Sequence, residues 1–140
     1  MAAIDFRVAT AADAPGVLAF WADAAEDSDR PPDSPEAVVR LIARDPAALL
    51  LAEDDGKLVG SVIAGWDGWR CHLYRLAVAP SHRRRGIGRA LVALAESRFA
   101  EYGGRRADAM VLDANAEAHR AWSAAGYAAQ PNWSRWVKPL

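Results

Sequence analysis

The sequence predicts a mixed α/β fold: a mostly antiparallel sheet of about six to seven strands with helices on both faces, in the order β-α-α-β-β-β-α-β-α-β. Three observations predict it. Short runs with strand periodicity are interspersed with segments of helical period. An Asp67-Gly68 pair joins two such runs as a tight hairpin, because these residues tolerate the positive φ values it needs. From Leu73 to Phe99 a strand passes through a glycine-containing turn into a long apolar-periodic helix, the layout of a parallel crossover.

The elements follow in chain order. Ile4, Phe6 and Val8 alternate with Asp5 and Arg7 as a half-buried first strand. Thr10 and Asp13 have the spacing of a capping box and open a helix carrying Val17, Leu18, Phe20 and Trp21. A polar linker from Asp23 to Asp33 holds Glu26, Asp27, Asp29 and Pro31-Pro32. Ser34 as N-cap and Pro35 at the first helical position begin a second helix with Val38, Val39, Leu41 and Ile42 inward, and Asp45-Pro46 stops it. Strands Ala48–Glu53 and Leu58–Trp66 are joined by Asp54-Asp55-Gly56-Lys57, and the hairpin leads to the central strand Leu73–Val78. The next helix aligns Ile87, Ala90, Leu91, Leu94, Ala95 and Phe99 and ends at Gly103-Gly104. Ala107–Leu112 reads as a strand, Asn115 caps a short helix ending near Gly126, and Trp133–Val137 reads as a last strand.

The 140 residues suit a single domain, 1–140, with no repeat or low-complexity divider. Lys+Arg 17 against Asp+Glu 18 leaves no bulk charge for nucleic acid. Cys71 is alone, so no internal disulfide forms and a reducing compartment is expected. There is neither an apolar run of membrane-spanning length nor a signal-peptide pattern, so a cytoplasmic protein is expected, with no membrane partner. No Cys-x-x-Cys or His-Glu-x-x-His is present and the histidines are far apart, which argues against a metal site.

The turn at Arg83-Arg84-Arg85-Gly86-Ile87-Gly88 has two readings, a solvated basic run that opens a helix or a site for a pyrophosphate. The first N–H groups of a helix lack intrahelical partners, and the dipole places about half a positive charge there. Gly86 and Gly88 remove β-carbons that would hold a diphosphate off the backbone, and the arginines add charge. A dinucleotide fingerprint needs a third glycine where Leu91 stands, and a Walker loop needs a Gly-Lys-Ser/Thr that the chain lacks.

The stretch Leu76-x-Val78-x-Pro80 followed by Arg83-x-x-Gly86-x-Gly88 resembles the acetyl-CoA signature of the GCN5-related N-acetyltransferases. Asn115-x-x-Ala118, Trp122 and Gly126-Tyr127 resemble a second block of that family. The resemblance implies an acetyl-CoA-dependent N-acetyltransferase that moves the acetyl group directly to a primary amine. The acceptor would be a small molecule or a peptide. Cofactor contacts are then expected at Arg83, Arg84, Arg85, Gly86, Ile87, Gly88, Arg89 and Asn115, with the pantetheine arm pairing like a strand beside Leu76 and Val78.

Attack on a thioester requires an uncharged amine, so some group must take its proton. His72 suits that task, and the resemblance places it where relatives carry a catalytic Glu or His; the other reading is a histidine hydrogen-bonded at the sheet surface. A bulge in this strand would flip side-chain parity. The run around His72 and Tyr74 is similar to the arylalkylamine acetyltransferases, which have two histidines at these places. Trp122 stands where the family usually has a tyrosine acting as general acid, and an indole has no proton to give at useful pH. Trp122 either packs near the cofactor sulfur or is a core residue, leaving Tyr74 or water to protonate the thiolate. A non-catalytic acyl-CoA-binding regulator is the rival from another class. The resemblance also admits a homodimer, to which Trp133 and Trp136 could contribute.

Overall fold

The computed structural model describes residues 3–25 and 31–140; Glu26, Asp27 and Asp29 of the acidic linker lie outside them. The chain forms two compact units, Met1–Met110 and Val111–Leu140. The first contains β1 (Ile4–Val8), a 3-10 turn (Ala11–Asp13), α1 (Ala14–Ala24), α2 (Pro35–Arg44), β2 (Leu49–Asp54), β3 (Lys57–Trp66), β4 (Cys71–Val78), α3 (Ile87–Glu101) and β5 (Ala107–Ala109). The second contains α4 (Ala116–Ala124).

Five strands make one sheet in the order β1-β2-β3-β4-β5, antiparallel except for the parallel β4–β5 pair across α3. The expected fold class holds, but the described residues form five strands and not six to seven. Ala107–Leu112 pairs only to Ala109, and Trp133–Val137 is not a strand. Apolar spacing marks which residues could be covered, whereas a strand exists only where its N–H and C=O groups meet a ladder. Residues 131–140 are exposed throughout, Trp136 at 92%.

Local chemistry explains the connections. Asp55 and Gly56 both have positive φ, 51° and 78°, which gives the two-residue β2–β3 turn the strand-matching twist. Ser34 Oγ accepts from the Ala37 N–H at 3.1 Å and starts α2. Asp13 accepts from the Thr10 N–H at 2.7 Å and closes the first helical turn.

Helices cover both faces. On one face Val17, Trp21 and Val38 pack with Leu49, Leu51, Ile63 and Ala77. On the other, α3 buries Ile87, Leu91, Val92, Ala95 and Phe99. It comes so close that a Cβ at Gly60 would sit 3.0 Å from Ile87 Cγ2.

The register of β4 against β3 slips between Ser61↔Ala77 and Ile63↔Tyr74, so Arg75 and Leu76 together oppose Val62. This is a β-bulge, and Arg75 adopts φ 54° within it. Buried Ser61 anchors it: the hydroxyl accepts from Trp21 Nε1–H at 2.8 Å and donates to the Arg75 carbonyl at 2.9 Å. The Arg75 guanidinium folds back over the Trp21 ring, 4.9 Å from its centroid, and pairs with Asp33. His72, Tyr74 and Ala77 consequently share the α1/α2 face, while Cys71, Leu73 and Val78 face α3.

Ser61→Ala should strip both the Trp21 N–H and the Arg75 carbonyl of a partner and cost about 2–4 kcal/mol in urea unfolding. A loss below about 0.5 kcal/mol would show that the bulge is held by other contacts. Arg7 binds both oxygens of Asp13, at 2.7 and 2.8 Å, and holds its carboxyl well below the usual carboxylate range. The folded pKa is below the unfolded one, so this stabilisation is full above about pH 4 and fades as pH falls further. Arg7→Ala should therefore flatten the acid limb of a stability-versus-pH curve below about pH 4; an unchanged slope would remove the pair from acid denaturation.

Candidate active site

β5 pairs with β4 only over Cys71↔Ala107, His72↔Asp108 and Leu73↔Ala109. From Tyr74 to Val78, β4 keeps β3 on one edge and no described strand on the other. Ala79 N–H donates to the Val59 carbonyl at 2.8 Å. By antiparallel alternation Ala77 also turns its main chain to β3, so Leu76 and Val78 turn theirs to the open edge. There the Val78 carbonyl accepts from Arg83 Nε at 3.1 Å. The result is a fork closed at Leu73 and open toward the start of α3.

At the open end the chain makes a 3-10 turn over Pro80–His82 and then enters α3 through Arg84 at φ 62° and Gly86 at φ 81°. A left-handed Gly86 followed by right-handed Ile87 points successive N–H groups into one concavity, a nest at a helix start whose geometry suits an anion. Left-handed Arg84 is strained by about 1 kcal/mol or more, and strain of this kind collects at functional sites. Gly88 is the more telling residue. A Cβ there would meet only Val78 Cγ2 among the described residues, at 3.5 Å, so packing does not require glycine. Arg83, Arg84, Arg85 and Arg89 are exposed around the turn. Ile87 differs: its side chain is 3% exposed in the core, and only its main chain lines the nest.

His82 is not a surface histidine. Its Nε2–H donates to Asp54 Oδ2 at 2.8 Å, its Nδ1 accepts from Ser81 Oγ at 2.7 Å, and the side chain is 12% exposed. It thereby fixes the loop to the β2–β3 turn.

At the closed end, His72 Nδ1–H donates to Asp108 Oδ1 at 2.8 Å, across the in-register β4–β5 pair. On the other side its Nε2 is 3.8 Å from Asp67 Oδ2. The N–H groups of Arg70 and Trp69 donate to Asp67 Oδ1 at 2.7 and 2.8 Å and hold that carboxyl below its ordinary range. Tyr74 shares the face of His72, and its ring lies over Gly65, where a Cβ would be 2.9 Å from Cε1. Burial, then Asp45, pushes the Tyr74 phenol above its ordinary value. Cys71 is 2% exposed on the opposite face, and burial, then Asp108 and Asp67, raises its thiol pKa. It is a packing residue against Gly104 and not a nucleophile for His72 to activate.

Asn115 and Trp122 belong to the second unit. Asn115 Oδ1 caps α4 by accepting the Ala118 N–H at 3.0 Å. Trp122 packs edge-on to Tyr127, with ring centroids 5.0 Å apart. His119 Nε2–H donates to the carbonyls of Leu112 and Asp113 at 3.2 and 3.1 Å, tying the approach to α4 to the helix.

Sequence reasoning missed Asp67, Asp108 and Gly65. Asp67 was visible only as a turn residue. Asp108 stands out weakly as a lone acid between Ala107 and Ala109, but only the strand register sets it against His72.

A family model described as the acetyltransferase (GNAT) family matches residues 18–127. The chain is 34% identical over 113 residues to an acetyltransferase of Pectobacterium atrosepticum, covering 80% of this chain and 79% of the relative. Among solved structures it is similar to an aminoglycoside N-acetyltransferase in complex with CoA, with TM-score 0.79 and 18% identity over 100% of this chain and 97% of the other. It is also similar to the diaminobutyrate acetyltransferase of Paenibacillus lautus in complex with L-2,4-diaminobutyric acid and coenzyme A, with TM-score 0.74 and 23% identity over 89% and 75% of the two chains.

Proposed function

The chain belongs to the GNAT family of acetyltransferases, and on that premise we propose that it transfers an acetyl group from acetyl-CoA directly to a primary amine. One observation carries the reading: the open edge of β4 at Leu76 and Val78 leads to the turn at Gly86–Gly88, where among the described residues an added Cβ would meet nothing within 4 Å at Gly86 and only Val78 Cγ2 at Gly88. An extended arm ending in a diphosphate has that shape and that chemistry. The CoA named with the two structural neighbours supports the same ligand.

In this reading the N–H groups of Gly86, Ile87 and Gly88 and the arginines at 83, 84, 85 and 89 hold the diphosphate. The main chain of Leu76 and Val78 holds the pantetheine arm, and the family resemblance alone assigns Asn115 a cofactor contact. Bound acetyl-CoA supplies the thioester carbonyl that the amine attacks. His72 accepts the proton that the acceptor ammonium must lose, through Nε2. Tyr74, whose phenol stays protonated across neutral pH, holds a proton for the departing sulfur. Trp122, assigned to the site by the family resemblance alone, has no proton to donate and packs against Tyr127.

The acceptor is a primary amine of a small molecule or peptide. We take residues 1–140 as one catalytic domain, in a cytoplasm whose reducing poise suits the lone Cys71. Exposed Trp133, Trp136 and Val137 support a homodimer.

Gly88→Glu tests the cradle without straining the backbone, since a Cβ is accommodated there and a carboxylate in a first helical turn favours the helix. The variant should match the parent in thermal stability yet lose CoA binding by about 100-fold or more in calorimetry, because it sets a negative charge where the diphosphate sits. Unchanged CoA affinity would overturn the site. A thiol-release screen with acetyl-CoA over amines, aminoglycosides and peptides should find turnover; tight CoA binding with none would favour the regulator. His72→Ala should lower kcat by about 10²-fold, most severely at low pH where free amine is scarce. An unaltered pH–rate profile would exclude His72.

A further inference from the structure

The imidazole of His72 has two carboxylates beside it, and they are not equivalent. Asp108 lies on β5 as the direct partner of His72 in the parallel ladder, and its Oδ1 is 2.8 Å from Nδ1. Asp67 lies in the β3–β4 turn, and its Oδ2 is 3.8 Å from Nε2, beyond hydrogen-bond reach. The other Asp67 oxygen is committed to the main-chain N–H groups of Trp69 and Arg70.

We propose that Asp108 is the positioning residue for the proposed base: it holds His72 as the Nδ1–H tautomer, so that the Nε2 lone pair is the one presented to the acceptor. The inference rests on the reading of His72 as the base. A neutral imidazole has one N–H and one lone pair, and an ionised carboxylate only accepts hydrogen bonds. The Nδ1 contact therefore decides which nitrogen carries the proton. Asp67 does not reverse the choice, because it is too far from Nε2 to bind an N–H there. Its carboxylate instead borders the space in front of Nε2, where an ammonium has to arrive.

The fold makes this contact structurally dependable. His72↔Asp108 is the middle rung of the short β4–β5 ladder, between Cys71↔Ala107 and Leu73↔Ala109. The strand spacing that closes the fork also places the carboxylate on the ring nitrogen. Where the ladder ends, the open edge begins, so one short pairing both orients the base and delimits the slot.

The experiment compares Asp108→Asn, Asp108→Glu, His72→Ala and the Asp108→Asn/His72→Ala double variant by steady-state kinetics. The parent and the two Asp108 variants are also examined by nitrogen-15 NMR of the neutral imidazole. An amide at 108 can donate to Nδ1 and reverse the tautomer. Asp108→Asn should therefore lower kcat by about 10–100-fold with KM for acetyl-CoA within about twofold of the parent. Asp108→Glu, which keeps an accepting carboxylate, should recover much of the loss. The double variant should be no slower than His72→Ala alone. NMR should find the proton on Nδ1 in the parent and in Asp108→Glu, and on Nε2 in Asp108→Asn. Full kcat in Asp108→Asn, an additive loss in the double variant, or a parent proton on Nε2 would each overturn the inference. Full activity in His72→Ala would instead remove the reading of His72 as the base. The NMR result would then decide the Asp108 contact by itself.

Discussion

The hydroxyl of Ser61 is the point on which the site side of this molecule depends. It lies fully buried between a helix and a bulged strand, and it satisfies an indole N–H on one side and a main-chain carbonyl on the other. A bulge in a central strand leaves a carbonyl out of the ladder, and in a dry interior an unpaired carbonyl is costly. Serine resolves this with one atom that both accepts and donates. Trp21 contributes a second time, because its ring carries the guanidinium of left-handed Arg75. Remove the extra residue and every side chain beyond it changes face.

That change of face separates two tasks that share one strand. His72 and Tyr74 stand on the α1/α2 face, with Ala77 beyond the bulge on the same side. Leu76 and Val78 offer main chain to the open edge, and the Val78 side chain lies toward α3. In one eight-residue strand, side chains suited to proton transfer precede a backbone suited to an extended ligand. The loop that follows is shaped by strained and missing atoms: a left-handed arginine, a left-handed glycine and a helical glycine that packing does not explain. His82, locked between Ser81 and Asp54, keeps this loop in register with the neighbouring hairpin.

Much of this was readable from residue order. The helix start at Ser34-Pro35, the Asp55-Gly56 turn and most of the apolar stripe of α3 follow from local chemistry and appear where their residues place them. Asp67-Gly68, by contrast, is not a two-residue turn: residues 67 to 70 connect β3 to β4, only Gly68 of the pair has positive φ, and the Asp67 carboxylate closes the loop by accepting main-chain N–H groups. The glycine-arginine turn is also local, since positive φ and an open helix N-terminus belong to the few residues that form them. The short reach of β5 and the absence of a strand at Trp133–Val137 were not readable in this way. An alternating pattern says which face a strand would bury, but it does not say whether a neighbouring strand is present.

The bulge lies on the same boundary. An arginine at position 75, in an otherwise apolar strand, hints that regular alternation breaks, yet nothing local identifies Ser61 and Trp21 as the groups that hold the break. The pairing of His72 with Asp108, residues 36 positions apart, is likewise a matter of register between strands. The sequence by itself determined most of the order of elements and the glycine-arginine turn, because these depend on φ, on caps and on period. Only the tertiary structure decided which face the histidine takes and which carboxylate orients it, because those depend on how separate strands align.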